Sequence, residues 1–188
     1  MLEQAPATPW TPVTDYSWDA RQPLEAPQAD RIVTTFAPQI ALDYGCGFGY
    51  LVRLLRERGV YAYGYDPHQP PRPELHRTTY IPFQDRQCDL VICREVLEHV
   101  ELRYVPAVVR DLCRLAKGAV YLTTRFHPNP QHLLDVATRD DLDPTHITLL
   151  NQDFLRTLFV LEGFTRDRDK EIAMDWQRKG RVLVYRRP

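Results

Sequence analysis

The sequence lacks both a long apolar run and a surplus of one charge. No stretch approaches the roughly 20 consecutive apolar residues of a membrane-spanning helix, so we expect no membrane span. Lysine and arginine number 24 against 25 aspartate and glutamate, which leaves a formal net charge of −1. Nucleic-acid-binding proteins usually carry a basic surface that holds phosphates. The charge therefore disfavours a nucleic acid as partner.

Cysteine is also scarce, and none of the four cysteines stands in a CxxC pair of the kind that marks zinc or redox sites. They lie in apolar or glycine-rich segments, at Cys46, Cys88, Cys93 and Cys113. We expect reduced, mostly buried thiols, which favours a cytoplasmic location, although an even number of cysteines also permits disulfides. The first residues lack the basic start and apolar run of a secretory signal, which agrees with that expectation.

The chain of 188 residues fits a single domain. Five prolines interrupt the first 28 residues, at Pro6, Pro9, Pro12, Pro23 and Pro27. Proline removes a backbone donor and breaks helix interiors, so residues 1–28 are predicted to form an irregular arm that docks on the domain or covers its active site. Residues 29–188 are predicted to form the domain itself.

Helical and strand patterns alternate along the domain. Helices are predicted near 26–36, from 49, at 101–116 and at 151–162, and strands at 40–44, 61–66, 78–82, 88–94, 119–125, 164–172 and 181–187. Strands separated by helices predict an α/β, Rossmann-like fold with a mostly parallel sheet. The last two strands, joined without a helix, predict an antiparallel hairpin. Prolines after the second strand predict a shortened crossover there, at Pro67, Pro70, Pro71 and Pro73.

The sharpest local signal is the segment Asp43-Tyr44-Gly45-Cys46-Gly47-Phe48-Gly49, where the first strand turns into a helix. Ligands of open α/β sheets bind outside the carboxyl ends of the strands, and glycines there let the backbone approach the ligand. Asp66 ends the next strand, where a carboxylate accepts hydrogen bonds from ribose hydroxyls. Asp43 suits a cationic amino-acid group. Together these residues predict an adenosine cofactor.

A nicotinamide dinucleotide ranks second as the cofactor. Its GxGxxG fingerprint, counted from Gly45, needs a glycine at the position that Tyr50 occupies. An acid two positions before Gly45 would also repel a pyrophosphate, whereas it attracts an amine. The loop therefore favours S-adenosylmethionine over NAD.

The segments ALDYGCGFGYL and YIPFQDRQCDLVICREVLEHV, with Asp66 between them, resemble the class I S-adenosylmethionine-dependent methyltransferases over roughly residues 30–187. The similarity is to the broad group that contains the ubiquinone-biosynthesis methyltransferases. It implies the methyltransferase fold, with the methionine part lined by Asp43, Gly45, Gly47 and Gly49. It further implies that Asp66 holds the ribose and that Cys93 and Arg94 lie beside the cofactor; for Cys93, a plain buried strand residue is an equal interpretation.

The EVLEHV segment supplies candidate catalytic and metal-binding residues. Glu95, Glu98 and His99 would share one face if the segment is helical, and His146 is a candidate fourth ligand. The set resembles the metal site of the 2′-O-methyltransferases of small-RNA 3′ ends and of relatives in quinone biosynthesis, which implies a divalent cation such as Mg²⁺. His99 as a general base, assisted by Glu95, is an alternative without metal, and a structural histidine is a third.

The predicted reaction is transfer of a methyl group from S-adenosylmethionine to a small-molecule acceptor, with a hydroxyl oxygen as the expected nucleophile. The catalytic gain would come mainly from holding an already activated sulfonium close to the acceptor. A metal-dependent RNA 3′-end 2′-O-methyltransferase is one alternative. A noncatalytic cofactor-binding protein on the same fold is the other.

Overall fold

The computed structural model describes residues 17–69, 76–126, 134–135 and 145–188. Its helices are α1 (Trp18–Phe36), α2 (Tyr50–Glu57), α3 (Val105–Leu115), α4 (Gln152–Leu161) and α5 (Arg168–Met174). Its strands are β1 (Ile40–Tyr44), β2 (Tyr61–Tyr65), β3 (Arg77–Thr78), β4 (Cys88–Arg94), β5 (Ala116–Thr123), β6 (Leu134–Asp135), β7 (Leu149–Leu150), β8 (Thr165–Arg166) and β9 (Val182–Arg186). No helix within these ranges is long and apolar enough to cross a membrane.

A sheet with the strand order β3-β2-β1-β4-β5-β9-β8 forms the centre of the fold. The first five strands in that order pair in parallel, whereas β9 runs antiparallel to β5 and β8 antiparallel to β9. This confirms the predicted mostly parallel sheet and its antiparallel C-terminal pair. The separate strands β6 and β7 form a short antiparallel ladder.

Helix α5 corrects the prediction at the C-terminus. The prediction of a single strand over 164–172 is wrong, because β8 ends at Arg166 and α5 begins two residues later. Asp167 caps the new helix by accepting a hydrogen bond from the Lys170 amide. Strands β8 and β9 therefore pair across a helix and are not joined by a tight turn.

Helix α1 corrects the prediction of an irregular arm, which is wrong from Trp18 onward. Ser17 caps the helix by accepting a hydrogen bond from the Ala20 amide. Pro23 and Pro27, one turn apart, both lie on the exposed face. The carbonyls that lose a partner there can bond to water, which lowers the cost of proline inside a helix. Residues 1–16 of the predicted arm lie outside the described residues.

The sheet is buried on both faces, as the apolar run of β4 predicts. Leu90 and Ile92 pack in one core with α1 and α2, and Val91 and Cys93 pack in the other with α3 and α4. All four cysteines carry free thiols, and only Cys46 is partly exposed. The alternation along β4 fixes which side chains face helix α1.

The connection between β2 and β3 is short, as the prolines predict. Only residues 66–76 separate the two strands, fewer than the roughly twelve or more of a usual parallel crossover. Its described start, residues 66–69, is not helical. Strand β3 pairs with β2 through two residues alone, and residues 70–75 lie outside the description.

Candidate active site

The glycine loop runs from the end of β1 to the start of α2, at the carboxyl edge of the sheet. The amides of Gly45 and Cys46 donate to the Tyr65 carbonyl at 2.7 and 3.1 Å, which holds the loop against β2. Gly45, Gly47 and Gly49 have φ angles of 77°, 53° and 78°. Glycine adopts this left-handed region without the steric cost that a side chain adds, which explains why this bend takes three of them.

Alanine at two of these glycines is expected to have different effects. A Cβ on Gly45 would overlap the Val96 side chain, whereas one on Gly47 would meet nothing within 4 Å. Gly47→Ala therefore carries only the cost of the left-handed backbone, about 1 kcal/mol, and Gly45→Ala adds overpacking of about 1 to 3 kcal/mol. Urea unfolding of both variants measures the difference. Adding Val96→Ala should remove the extra loss at Gly45, and equal losses in the two single variants would contradict this account.

Asp66 follows β2 and ties the glycine loop to the next loop. Its Oδ2 accepts a hydrogen bond from the Gly47 amide at 2.8 Å. Its Oδ1 accepts from the amides of His68 and Gln69 at 2.9 and 3.1 Å. The sequence interpretation assigned this carboxylate to a ribose and missed its bonds to the backbone. The structure places it directly beside the loop, where a carboxylate oxygen has a second lone pair for a ligand hydroxyl.

Asp43 ends β1 as a buried carboxylate, with only 5% of its surface exposed. No described residue donates a hydrogen bond to it. Burial raises the pKa of Asp43 from 3.8 to about 7, although the positive charge of Arg94 opposes the shift. A buried carboxylate without a hydrogen bond is costly. The arrangement is suited to receiving a cationic group from a ligand.

Arg94 ends β4 and forms an ion pair with Glu25 of helix α1, with an Nη1 to Oε2 distance of 2.7 Å. The Cys93 side chain points to the other face and lies fully buried in the core, and burial raises the pKa of its thiol. Glu25 was not predicted as a site residue. No local pattern marks it, because its partner lies 69 residues away in the chain.

The EVLEHV segment is not an α-helix, so the predicted shared helical face is wrong. Only Leu97–His99 form a single 3-10 turn, and Glu95 precedes it with a φ of 51°. Glu98 is fully buried. Its Oε2 accepts a hydrogen bond from the Thr124 hydroxyl at 2.9 Å, while Oε1 has no hydrogen-bond partner among the described residues. Burial, together with the neighbouring charge of Glu95, raises the pKa of Glu98 well above its usual range.

Glu98, His99 and His146 converge although an α-helix is absent. Their ligand atoms all lie within 4.8 Å of one another. The amides of Ile147 and Thr148 donate to the Glu98 carbonyl and dock the His146 segment here. The Nδ1 atom of His99 lies 3.0 Å from the Thr145 carbonyl; only a protonated Nδ1 can donate there, and in the neutral ring this puts the lone pair on Nε2.

Glu95 lies beside Glu98 but outside that cluster. Its side chain is 42% exposed, and its carboxylate is 3.8 Å from the Arg181 guanidinium. The predicted metal set is thus brought together as three residues with Glu95 at their edge. The segment after the fifth strand reaches the edge where a substrate should enter, which makes His127, His132 and Asp143 candidate substrate contacts on the sequence alone. These three residues lie outside the described residues.

A glycine loop at the edge of the sheet, an acid at the carboxyl end of each of the first two strands and a mostly parallel sheet with an antiparallel end define the class I methyltransferase fold. The chain belongs to the methyltransferase domain family, whose model matches residues 20–167. No curated protein sequence matches the chain.

Solved structures share the fold at low identity. Magnesium protoporphyrin IX methyltransferase from Synechocystis PCC 6803, solved with S-adenosylhomocysteine, is 20% identical, with a TM-score of 0.62 over 93% of this chain and 89% of that one. The 1,6-didemethyltoxoflavin N1-methyltransferase of Burkholderia thailandensis is 15% identical, with a TM-score of 0.62 over 87% and 77%. The [4+2]-cyclase SpnF is 16% identical, with a TM-score of 0.58 over 95% and 85%.

Proposed function

We propose that this protein is an S-adenosylmethionine-dependent methyltransferase that acts on a hydroxyl oxygen of a small molecule, in the cytoplasm. The observation that carries the proposal is the buried Asp43 carboxylate, which has no hydrogen bond from the described residues and stands beside a loop with three glycines at positive φ. A zwitterionic amino-acid group supplies the ammonium that this carboxylate lacks. The structures of relatives with bound S-adenosylhomocysteine support the same cofactor.

The cofactor would lie across the carboxyl edge of β1, β2 and β4. Gly47 leaves room for its methionine part, and Asp43 binds the ammonium. Asp66 binds a ribose hydroxyl through the lone pair that its three amide contacts leave on Oδ2. The positive φ angles support this fit, as does the open space at Gly47, where a Cβ would meet no described atom within 4 Å. The chain's part in catalysis is then to position donor and acceptor.

A divalent cation fits the second cluster. Glu98, His99 and His146 would hold it, with Glu95 adding a carboxylate at the edge. The buried Glu98 Oε1, to which no described residue donates a hydrogen bond, supports the fit. Two imidazoles and a carboxylate suit a borderline ion such as Mn²⁺, Fe²⁺ or Zn²⁺ better than Mg²⁺. When bound, the ion would orient acceptor hydroxyls and lower their pKa.

Without a bound cation, the Nε2 lone pair of His99 can act as the base that proton transfer needs near the acceptor; a cation held by His99 would occupy that lone pair instead. In the proposed step the carbon–sulfur bond of the sulfonium breaks and a carbon–oxygen bond forms. The sulfur leaves as a neutral thioether, and the hydroxyl proton passes to Nε2 of His99. The bond from Nδ1 to the Thr145 carbonyl orients the ring for this role.

The alternatives are weaker but distinct. An RNA 3′-end 2′-O-methyltransferase would use the same Glu-His-His cluster, but the net charge of −1 offers little attraction for RNA. A noncatalytic or repurposed protein on this fold remains a separate hypothesis, since a cyclase shares the fold. Turnover of S-adenosylmethionine with a panel of hydroxylated small molecules, against an RNA oligonucleotide, separates the three.

Calorimetric titration tests the cofactor assignment directly. Wild-type protein should bind S-adenosylmethionine and S-adenosylhomocysteine and should not bind NAD. Asp66→Ala should weaken both by roughly 30-fold or more, because a hydrogen bond from a ligand hydroxyl to a carboxylate contributes about 2 kcal/mol. Binding of NAD alone, or full affinity in the variant, would refute the assignment.

Asp89 provides a matched control for Asp66. Its Oδ2 also accepts hydrogen bonds from two backbone amides, those of Gln39 and Ile40 at 3.1 and 2.9 Å. It lies at the start of β1 and β4, the opposite edge of the sheet. Asp89→Ala should therefore lower the free energy of unfolding and leave cofactor affinity unchanged, which separates lost binding from lost stability.

A further inference from the structure

We infer that Arg94 is the receptor for the carboxylate of the cofactor's methionine part, and that Glu25 of helix α1 occupies this receptor until the cofactor binds. The inference rests on the proposed function and assigns a role to an ion pair that the function does not yet use. It makes Glu25 a built-in competitor of the cofactor.

The sheet register puts Arg94 at the glycine loop. Asp43 pairs with Ile92 in the parallel β1–β4 ladder, so Arg94 lies level with Gly45. Side chains alternate across the sheet. Ala41 on β1 and Ile92 on β4 face the core beneath α1 and α2, and Asp43 and Arg94, two residues further on, face the same way.

The charges around Asp43 match a methionine zwitterion. Arg94 is the cation, and Glu25 and Asp66 are the anions, whose charges act on the Asp43 carboxylate. A ligand with an ammonium and a carboxylate would place its ammonium on Asp43. Its carboxylate then needs a cation on the same face, and a guanidinium binds a carboxylate through a charge-assisted hydrogen bond.

Glu25 already presents that chemical group. Its carboxylate lies 2.7 Å from the Arg94 guanidinium, and the two side chains are only 14% and 25% exposed. A ligand carboxylate at the same guanidinium would meet the Glu25 charge at close range. The like charges repel, so that cofactor binding must displace or weaken the ion pair.

The helix that carries Glu25 is weakly held there. Glu25 lies between Pro23 and Pro27, neither of which has an amide proton to bond to the preceding turn. Two backbone hydrogen bonds are therefore missing around Glu25, which lowers the cost of moving this turn. The prolines therefore make it easier for Glu25 to move away from Arg94 when the cofactor binds.

Two ligands that differ only in the amino-acid part test the inference by calorimetry. S-adenosylhomocysteine carries the carboxylate, and 5′-deoxy-5′-methylthioadenosine lacks the whole amino-acid group. Arg94→Gln should weaken binding of the first by roughly 10- to 100-fold and leave the second within about twofold. Glu25→Gln, which keeps shape and removes charge, should strengthen binding of the first by about 3- to 10-fold and leave the second unchanged.

Several results would overturn the inference. Weaker S-adenosylhomocysteine binding by Glu25→Gln would make Glu25 part of the binding site and not a competitor. If Arg94→Gln binds S-adenosylhomocysteine as wild type does, or loses affinity equally for both ligands, Arg94 does not bind the cofactor's carboxylate. If Arg94→Gln does not fold, Glu25→Gln decides alone. Wild-type protein that binds neither ligand refutes the proposed function itself, whereas binding of both without this pattern refutes only the inference.

Discussion

Asp43→Asn is expected to bind S-adenosylhomocysteine at least about 30-fold more weakly than wild type, a loss of roughly 2 kcal/mol or more, and yet to be more stable without ligand at pH 8. Both effects come from the same carboxylate. It is buried at the end of β1 and lacks a hydrogen bond from the described residues. The negative charge of Asp43 binds the ammonium of the cofactor, but in the free protein the same charge is buried and lowers the stability.

The pH dependence of stability follows from the direction of the pKa shift. Folding raises the pKa of Asp43 from 3.8 to about 7. Between these values the folded state holds a proton that the unfolded state has released, so stability from this group falls as the pH rises through that window. Asparagine removes the penalty, with a gain of roughly 2 to 4 kcal/mol above pH 7 that vanishes below about pH 4.

Cofactor binding should show the opposite preference. The ammonium binds the ionised form of Asp43, so wild-type affinity for S-adenosylhomocysteine falls as the pH is lowered through about 7. Burial is the main cause of this raised pKa; the charge of Arg94 opposes it, and those of Glu25 and Asp66 add to it. Calorimetry at pH 6 and pH 8, with thermal unfolding at the same values, measures both effects.

Asp30→Asn is the control for this experiment. Asp30 is an exposed carboxylate, and its bond to Arg58 lowers its pKa instead of raising it. Its replacement should leave cofactor affinity unchanged and should not stabilise the protein at pH 8. A wild-type affinity that does not change between pH 6 and pH 8, or an Asp43→Asn variant less stable than wild type, would contradict the account of Asp43.

The parts of the fold that the sequence predicted are those with a local physical signature. The apolar run of β4 predicted a strand buried on both faces, and its side chains do alternate between two cores. Glycines at a strand-to-helix turn predicted a place where the backbone can approach a ligand, and the structure has a bend there with positive φ, which glycine adopts at low cost. Such signals need no knowledge of distant residues.

The parts that were missed depend on tertiary context. Pro23 and Pro27 argued against a helix, but solvent reaches the carbonyls they leave unpaired, and Ala29 and Ile32 anchor α1 in the core. The strand predicted over 164–172 failed because the Asp167 cap starts a helix there. Glu25 carries no motif, since its importance comes only from Arg94.

The candidate cation site shows the same division. The residue types in EVLEHV indicated a metal, whereas the helical spacing that was meant to align them is absent. A 3-10 turn and backbone bonds from Ile147 and Thr148 to Glu98 bring the three side chains together instead. The sequence thus named the residues of the cluster but not the geometry that joins them, and the cation itself stays a prediction.

Glu98→Gln should abolish divalent-cation binding, because it removes the only carboxylate of the Glu98, His99 and His146 cluster. Removing one of three protein ligands should weaken Mn²⁺ or Zn²⁺ binding by roughly 100-fold or more, since even supporting residues outside the ligand set often contribute 10- to 100-fold. Titration of the free protein with either ion measures this without an acceptor. S-adenosylhomocysteine affinity should stay within about twofold of wild type, since ligands of separate sites act nearly independently.

Variants of Glu98, His99 and His146 distinguish a cation site from a histidine that acts alone as a general base. If a cation is held, Glu98→Gln, His99→Gln and His146→Gln each lose it, and a chelator stops methyl transfer in wild type. If His99 acts alone as a base, only His99→Gln loses methyl transfer, by roughly 100-fold or more, and a chelator has no effect. Thr124→Val, which removes only the hydroxyl that donates to Glu98, is the control and should weaken cation binding far less than Glu98→Gln does. Wild-type protein that binds neither Mn²⁺ nor Zn²⁺ would refute the cation and leave the histidine as the base.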